Sequence, residues 1–291
     1  MYKLTFDYPL SKAEEAAEKL YIVDIYNVFY ETPITITTTD YGYGYYENKD
    51  EKINFNIVVE SENYNEAKKQ KSIVESTLNL SNVSITEIKN VEFNENIEPI
   101  DLNNGWVIAS PDYTVEGKNK INFIPQGAFG TGLHETTQDC LRFILEEDFT
   151  NKTVLDIGTG SGILSIASAI KNAKKITSID IRDVKEEINL NASLNSLENI
   201  DVLVGNALDN EITLAGSYDY IFINIGGEET QMFMDFIDCH VKKGGKLLIS
   251  GLVEWTFDLV INEVSKYGYT LLGKKQTNEW CTSILIKDSI Q

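Results

Sequence analysis

A strand-like segment that ends in closely spaced glycines is the pattern in this chain with the clearest chemical meaning. Val154–Ile157 predicts a short buried strand, Gly158, Gly160 and Gly162 follow it, and an apolar helical pattern runs over Ile163–Ile170. A strand, a glycine turn and a helix form the nucleotide-binding half of an open α/β sheet. The glycines allow the backbone to approach a ligand closely, and the start of the helix presents free N–H groups.

Two ligand classes compete for such a turn. A dinucleotide-binding turn has the spacing G-x-G-x-x-G, and here the third glycine, Gly162, comes one position early. The observed spacing, with the acid Asp156 just before Gly158, resembles the S-adenosylmethionine loop of class I methyltransferases. The alternative is a tight strand–helix turn that binds no ligand.

A second acid supports the ligand-binding interpretation. Residues 175–180 predict the next strand, which ends in Asp180, and its separation from Gly158 is 180 − 158 = 22 positions. This is the length of one strand–helix–strand unit, and a carboxylate at that point accepts hydrogen bonds from the ribose hydroxyls of an adenosyl ligand. A solvated aspartate at a strand end is the alternative.

The alternation of apolar strands and helices continues to the end of the chain. It includes a strongly apolar strand that ends in Asn224 and a closing hairpin over 269–274 and 281–286. This order predicts an α/β fold with a doubly wound, mostly parallel, seven-stranded sheet of the Rossmann-like type. Asn224 then falls at the carboxyl end of a central strand, where ligands bind in such sheets.

The N-terminal third predicts a separate, smaller domain. Its strands and helices follow the order β-α-β-β-α-β or close to it, which is a small α+β ferredoxin-like domain over residues 1–93. Residues 94–103 are acidic and polar, include Pro99, and predict a linker. The larger domain therefore occupies residues 104–291.

Composition narrows the classes of partner. The chain has 291 residues, 42% of them hydrophobic, and a formal net charge of −20. This charge favours a basic protein partner over direct nucleic-acid binding.

The cysteines indicate the cellular compartment. They lie far apart, at Cys140, Cys239 and Cys281, and predict free thiols in a reducing compartment, with no metal site. The N-terminal residues show no signal-peptide pattern, and no apolar run suffices for a membrane span. We expect a cytoplasmic monomer.

Several segments together are similar to one family, the bacterial ribosomal protein L-eleven (L11) methyltransferases (PrmA), which are class I enzymes dependent on S-adenosylmethionine. The stretch over 128–137 resembles the A-F-G-T-G-x-H-x-T-T signature of that family. The other matching segments are Val154–Gly162 with Leu164, Asp180, Asn224-Ile225 and Glu279-Trp280-Cys281. The resemblance covers about residues 104 to 288, and the N-terminal domain matches only in its architecture.

The resemblance implies methylation of lysine and N-terminal amines of ribosomal protein L11, with residues 1–93 as substrate-recognition domain and 104–291 as catalytic domain. It implies S-adenosylmethionine as cofactor, without a metal. The implied cofactor-binding residues are Phe129, Gly130, Thr131, Thr137, Asp156, Gly158, Gly160, Gly162, Asp180 and Asn224. The sequence departs from the family at Glu135, where proline is usual, and over Gly226–Glu229, beside the expected methyl acceptor.

Asn224 and His134 are the candidate catalytic residues. Either the side chain or the backbone carbonyl of Asn224 could orient the lone pair of an acceptor amine, and a strand-end cap is the alternative. His134 could accept the amine proton or contact the substrate, or it could hold its own loop by hydrogen bonding.

Four other functions compete with this interpretation. The first is a protein lysine methyltransferase with a different target. The second is a nucleic-acid amino-methyltransferase, which usually carries an Asn/Asp-Pro-Pro-aromatic stretch that 224–227 lacks. The third is a cofactor-binding module without catalysis, which the intact Gly158, Asp180 and Asn224 disfavour. The fourth is a nicotinamide dehydrogenase, which the glycine spacing disfavours.

Overall fold

The computed structural model describes residues 1–291 except 24, 26, 31–33, 40–41, 48–51, 60, 62, 89–97, 127, 210, 215 and 290–291. The chain forms two compact units. The first contains Met1–Thr39 and Tyr43–Asn94, and the second contains Asp40–Gly42 and Glu95–Gln291. Part of the predicted linker over 94–103 lies outside the described residues.

The first unit is a four-stranded antiparallel sheet with two helices. Its elements are β1 (Tyr2–Pro9), α1 (Ala13–Ile22), β2 (Val28–Tyr30), β3 (Ile34–Thr39), β4 (Gly42–Glu47), β5 (Lys52–Val59), α2 (Tyr64–Leu78) and β6 (Ser84–Glu87). The sheet order is β2-β5-β1-β6, and β3 pairs with β4 in a separate two-stranded sheet. The β-α-β-β-α-β order predicted from sequence is therefore confirmed, with a two-stranded insertion between β2 and β5.

Alternation along the strands builds the core of this unit. Leu4 and Phe6 on β1 and Phe55 and Ile57 on β5 are buried together with side chains of both helices, including Leu20. Successive strand residues point to opposite faces, so each strand contributes every second residue to the helix-covered face. This unit has its own hydrophobic core.

The second unit contains a small three-stranded sheet and a large seven-stranded one. The elements are β7 (Ile100–Asp101), β8 (Trp106–Ala109), β9 (Asn119–Asn122), α3 (Glu135–Glu146), β10 (Thr153–Ile157), α4 (Ile163–Ile170), β11 (Lys175–Asp180), α5 (Lys185–Leu194), β12 (Ile200–Val204), β13 (Tyr218–Asn224), α6 (Gly227–Met232), α7 (Met234–His240), β14 (Val241–Val253), α8 (Glu254–Ser265), β15 (Tyr269–Thr277) and β16 (Trp280–Lys287). The large sheet has the order β12-β11-β10-β13-β14-β16-β15. Strands β10 to β14 pair in parallel and β16 is antiparallel to both neighbours, which confirms the predicted fold class.

The central strands are buried on both faces. In β10, Val154 packs into a core with α3 and α4, whereas Leu155 and Ile157 pack into the opposite core with α7 and α8. In β13 the residues divide in the same alternating way, with Phe222 in the first core and Ile223 in the second. Parallel strands covered by helices on both sides read as continuous apolar runs, which is the pattern that made these strands visible in the sequence.

The order of strands sets the place of a ligand site. The connections run outward from β10 in one direction and from β13 in the other, so the order reverses between these two neighbours. In open α/β sheets such a reversal leaves a crevice beyond the carboxyl ends of the strands. In the part of the chain that the structure describes, every helix is too short or too polar to cross a membrane.

Candidate functional site

A cavity of about 480 Å³ lies beyond the carboxyl ends of β10, β11, β12 and β13. Five of the residues predicted from sequence line it, and these are Phe129, Gly158, Gly160, Asp180 and Asn224. They are distant in the chain and meet because parallel strands end at one edge of the sheet.

Asp180 is held in place beside the glycine loop. Its Oδ2 accepts a hydrogen bond of 2.9 Å from the backbone N–H of Gly160, and its Oδ1 accepts one of 3.0 Å from the N–H of Arg182. The residue is 9% exposed. Each carboxylate oxygen can accept a second hydrogen bond, so the side chain is fixed by the backbone and still able to accept from ligand hydroxyls.

The two glycine-rich stretches of the sequence lie in direct contact. The N–H of Ser161 donates to the carbonyl oxygen of Phe129 at 2.9 Å, and the hydroxyl of Ser161 donates to the carbonyl of Gly130 at 2.9 Å. Gly160 has φ +53°, and a Cβ there would stand 2.5 Å from the carbonyl oxygen of Phe129. A side chain at position 160 would therefore force the stretches apart, which accounts for glycine at this point.

Asp156 lies beneath the loop and not on the cavity wall. It is buried, and its Oδ2 accepts hydrogen bonds of 2.7 Å from the hydroxyls of Thr159 and Ser165. Burial raises the pKa of its carboxyl to about 6, and the charge of nearby Asp180 adds to the rise, while the two hydroxyls oppose it. Asp156 thus joins the glycine loop to α4.

The raised pKa of Asp156 predicts a pH-dependent stability. An unfolded aspartate has a pKa of about 3.9, so between about pH 4 and pH 6 the folded state binds more protons than the unfolded state. The free energy of unfolding should then fall as pH rises through this window, by about 3 kcal/mol in total. Asp156→Asn removes this titration. Denaturant unfolding from pH 4 to 7.5 should show a flatter dependence for Asp156→Asn than for the wild type.

The matched control for that measurement is Asp258→Asn, because Asp258 is an exposed aspartate on α8. Its free energy of unfolding is measured over the same range of pH. If Asp156→Asn keeps the slope of the wild type, then Asp156 is already ionised at pH 4 in the folded protein and its pKa is not raised.

Two buried polar atoms near the site have no hydrogen-bond partner among the described residues. They are Oδ1 of Asn224, which lines the cavity, and Oγ1 of Thr137, in the first turn of α3. A buried acceptor without a partner is unfavourable by roughly 1–3 kcal/mol. A ligand with an N–H or O–H donor would satisfy Asn224 once the amide turns toward the cavity.

His134 caps α3 from the loop. Its Nδ1 accepts a hydrogen bond of 3.3 Å from the N–H of Thr136 and lies 2.8 Å from the hydroxyl of the same residue. The ring packs edge-on against Trp280, with centroids 4.9 Å apart, and lies 5.8 Å from the ring of Phe129. These contacts use Nδ1 to hold the loop, and the role of His134 as proton acceptor stays a prediction.

The remaining predicted residues do not line the cavity. Gly162 precedes α4 with φ +75°, and Gly130 holds Ser161 through its carbonyl. Thr131 follows Gly130 in the same stretch and, like Thr137, is absent from the cavity lining. Among the described residues, no group of three or more His, Cys, Asp or Glu side chains is placed to hold a metal ion.

Several lining residues were not identified from the sequence. They lie at or beyond the ends of strands, except Phe233 at the end of α6, and they are Ile157, Ile179, Ile181, Arg182, Gly205, Asn206, Ala207, Leu208, Ile225 and Phe233. The rule that ligands bind beyond the carboxyl ends of parallel strands would have found most of them. Their residue types alone carry no chemical signal, because most are apolar.

Comparison with known proteins identifies similar chains. A family model described as "Ribosomal protein L11 methyltransferase (PrmA)" matches residues 2–288. A ribosomal protein L11 methyltransferase of Clostridium botulinum is 35% identical over 161 residues, which are 55% of this chain and 50% of that protein. One from a Nitratiruptor species is 34% identical over 201 residues, 68% of each chain.

The structural comparison agrees with these matches. A crystal structure of ribosomal protein L11 methylase from Lactobacillus delbrueckii subsp. bulgaricus has a TM-score of 0.59 and 26% identity, covering 65% of this chain and 98% of that one. The chain spans about half the length of the first of the curated relatives that it matches.

Proposed function

This chain belongs to the ribosomal protein L11 methyltransferase (PrmA) family, and from that premise we propose that it transfers methyl groups from S-adenosylmethionine to lysine and N-terminal amines of ribosomal protein L11. The observation that carries the proposal is the meeting of Asp180, the Gly158–Gly160 loop and Asn224 around one cavity. The proposed setting is the cytoplasm.

The residues present fit the proposed cofactor. S-adenosylmethionine supplies a methyl group on a positively charged sulfur. Asp180 offers free acceptor positions for ribose hydroxyls, Gly158 and Gly160 line the cavity, and Ala207 and Leu208 give apolar surface for a purine ring. The cavity combines apolar walls with a few placed polar groups, as small-molecule sites usually do.

The acceptor amine must be neutral to react. A free lysine has a pKa of about 10.4, so at pH 7.4 only about one molecule in a thousand is neutral, which costs roughly 4 kcal/mol. Burial in the cavity lowers the pKa of the amine. Asn224 Oδ1, a buried acceptor with no partner among the described residues, can accept a hydrogen bond from the amine and orient its lone pair. No strong base is required in this scheme.

His134 serves in this proposal as a positioning residue. Its hydrogen bonds to Thr136 and its contact with Trp280 fix the 128–137 stretch. That stretch in turn holds the glycine loop through the carbonyls of Phe129 and Gly130.

The proposal also assigns a different role to each domain. Residues 1–93 recognise the protein substrate, 94–103 form the linker, and 104–291 bind the cofactor and carry out transfer. The first unit has its own core, and the second unit has cores of its own. Strand β7 lies within 94–103 and pairs with β8, and Leu102 is buried.

A truncated chain beginning at Glu98 therefore keeps β7 and tests this division. We expect it to bind S-adenosylmethionine within about 3-fold of the full chain and to lose most activity on folded L11, because substrate binding energy from the first unit is gone. Calorimetry and initial rates on folded L11 and on a short lysine peptide measure both. If the truncated chain methylates folded L11 as fast as the full chain, residues 1–93 do not recognise the substrate.

The function itself is tested with methyl-labelled S-adenosylmethionine. The full chain is incubated separately with purified L11, with ribosomal proteins lacking L11 and with ribosomal RNA, and the products are mapped by mass spectrometry. Label on lysine and N-terminal amines of L11 is the expected result. Label only on another protein would identify a lysine methyltransferase with a different target, and label only on RNA would show that the class of acceptor is wrong.

A further inference from the structure

Glu229 on α6 places a carboxylate beside the wall of the cavity. Its Oε2 lies 2.5 Å from the position that a Cβ on Gly226 would occupy. Gly226 directly follows Asn224 and Ile225, which both line the cavity. The side chain therefore folds back over the segment that carries the proposed amine-orienting residue.

Helix geometry places Glu229 on the cavity side of α6. The N–H of Phe233 donates to the carbonyl of Glu229 at 3.0 Å, so the two residues are one helical turn apart and share a face. Phe233 lines the cavity. Glu228 is also exposed, but it lies one residue earlier and so about 100° around the helix from Glu229.

Glu229 has no ion-pair partner in the described part of the chain. Among the described residues, neither Glu228 nor Glu229 has a salt-bridge partner within 4.0 Å. The guanidinium of Arg182, which also lines the cavity, lies 4.0 Å from the carboxylate of Asp180. The carboxylate of Glu229 lies beside Gly226, and the buried amide oxygen of Asn224 has no partner among the described residues. Together they suit a protonated primary amine, which has three donors and no acceptor.

We propose that Glu229 is a specificity-determining residue that receives the protonated amine of the acceptor at the entrance of the cavity and favours cationic over neutral acceptors. This inference rests on the proposed function and adds to it the residue that selects the acceptor. The amine keeps its proton while it contacts Glu229. The amine then loses this proton to solvent water and reaches Asn224 in its neutral form, so Glu229 acts on acceptor binding and not on the transfer step.

Kinetics on L11 give the first test. Glu229→Gln should raise KM for L11 about 3- to 10-fold and change kcat less than about 2-fold, because an ion pair at an entrance contributes to encounter and binding. Glu228→Gln removes the same charge from the same helix and should change KM less than about 2-fold. The difference between the variants should shrink at 0.5 M salt. Equal KM values for the two variants would overturn the inference.

A binding measurement gives a second test that does not depend on turnover. n-Butylamine, a mimic of a lysine side chain, and its neutral counterpart n-butanol are titrated into each full-length protein with S-adenosylhomocysteine present, and NMR follows the Ile225 methyl groups. The wild type and Glu228→Gln should bind butylamine with the same affinity. Glu229→Gln should bind butylamine about 3- to 10-fold more weakly. All three proteins should bind butanol equally. Equal butylamine binding by all three overturns the role of Glu229, whereas a wild type that methylates no protein overturns the proposed function.

Discussion

Asp180→Ala should weaken the binding of S-adenosylmethionine by about 10- to 150-fold. The carboxylate is fixed by the N–H groups of Gly160 and Arg182 and keeps free acceptor positions toward the cavity. Hydrogen bonds to a charged group contribute about 1.5–3 kcal/mol. This free energy corresponds to a change in affinity of about 10- to 150-fold. Isothermal calorimetry on the full chain measures the effect directly.

Two comparisons separate ligand contact from support of the loop. Asp180→Asn keeps one oxygen acceptor and should fall between the wild type and Asp180→Ala. Asp258→Ala removes an exposed acid from α8 and should bind the cofactor as the wild type does. Thermal unfolding of each variant shows whether the loop still folds, because Asp180→Ala also leaves the N–H of Gly160 without its partner. A folded Asp180→Ala protein with undiminished affinity would contradict the assignment.

The sheet could be predicted because a strand that is buried on both faces has a continuous apolar sequence. Strands such as β13 are continuous apolar runs, and the turns between elements carry glycine or polar residues, so the order of βα units follows directly. The finer boundaries could not be predicted. The sequence pattern predicts one helix over 230–241 and a strand over 246–250. The structure instead has two short helices that meet at Phe233 and a longer strand over Val241–Val253.

The site was predictable where residue type and position coincide. Asp180 and Asn224 are polar residues at the ends of apolar strands, and both line the cavity. Ala207 and Leu208 line it equally, yet apolar residues in a loop look no different from core residues in a sequence. Asp156 is the converse case. An acidic residue beside the glycines suggested a ligand contact, but Asp156 does not line the cavity. In β10 its neighbour Leu155 faces the α7 and α8 core, so Asp156 faces α4.

The glycine loop shows what spacing alone conveys. Position 160 needs glycine because the carbonyl of Phe129 occupies the space of a side chain. That contact joins two stretches about thirty residues apart, and no local propensity encodes it. The sequence indicated close backbone approach at this point, and the structure identifies the partner as another segment of the chain.

Asn224→Ala should lower turnover about 100-fold and change the affinity for S-adenosylmethionine less than about 3-fold. Removing one well-placed group that acts on the reacting atoms typically costs a factor of 10² to 10³ in rate. Oδ1 of Asn224 has no hydrogen-bond partner among the described residues, so its removal breaks no existing bond of that atom. The variant should therefore fold and bind cofactor while it fails to orient the amine.

Single-turnover rates on L11, with cofactor affinity measured separately by calorimetry, check this expectation. Asn224→Asp keeps an oxygen acceptor at the same position and should retain more activity than Asn224→Ala. In both variants the rate should still rise with pH while the amine itself titrates, because the amine and not a protein base limits the supply of the neutral form. If Asn224→Ala loses cofactor affinity and rate by equal factors, Asn224 contributes only to cofactor binding and does not orient the amine. If it loses neither, Asn224 does no more than end β13, and the orienting acceptor must be a backbone carbonyl beside it.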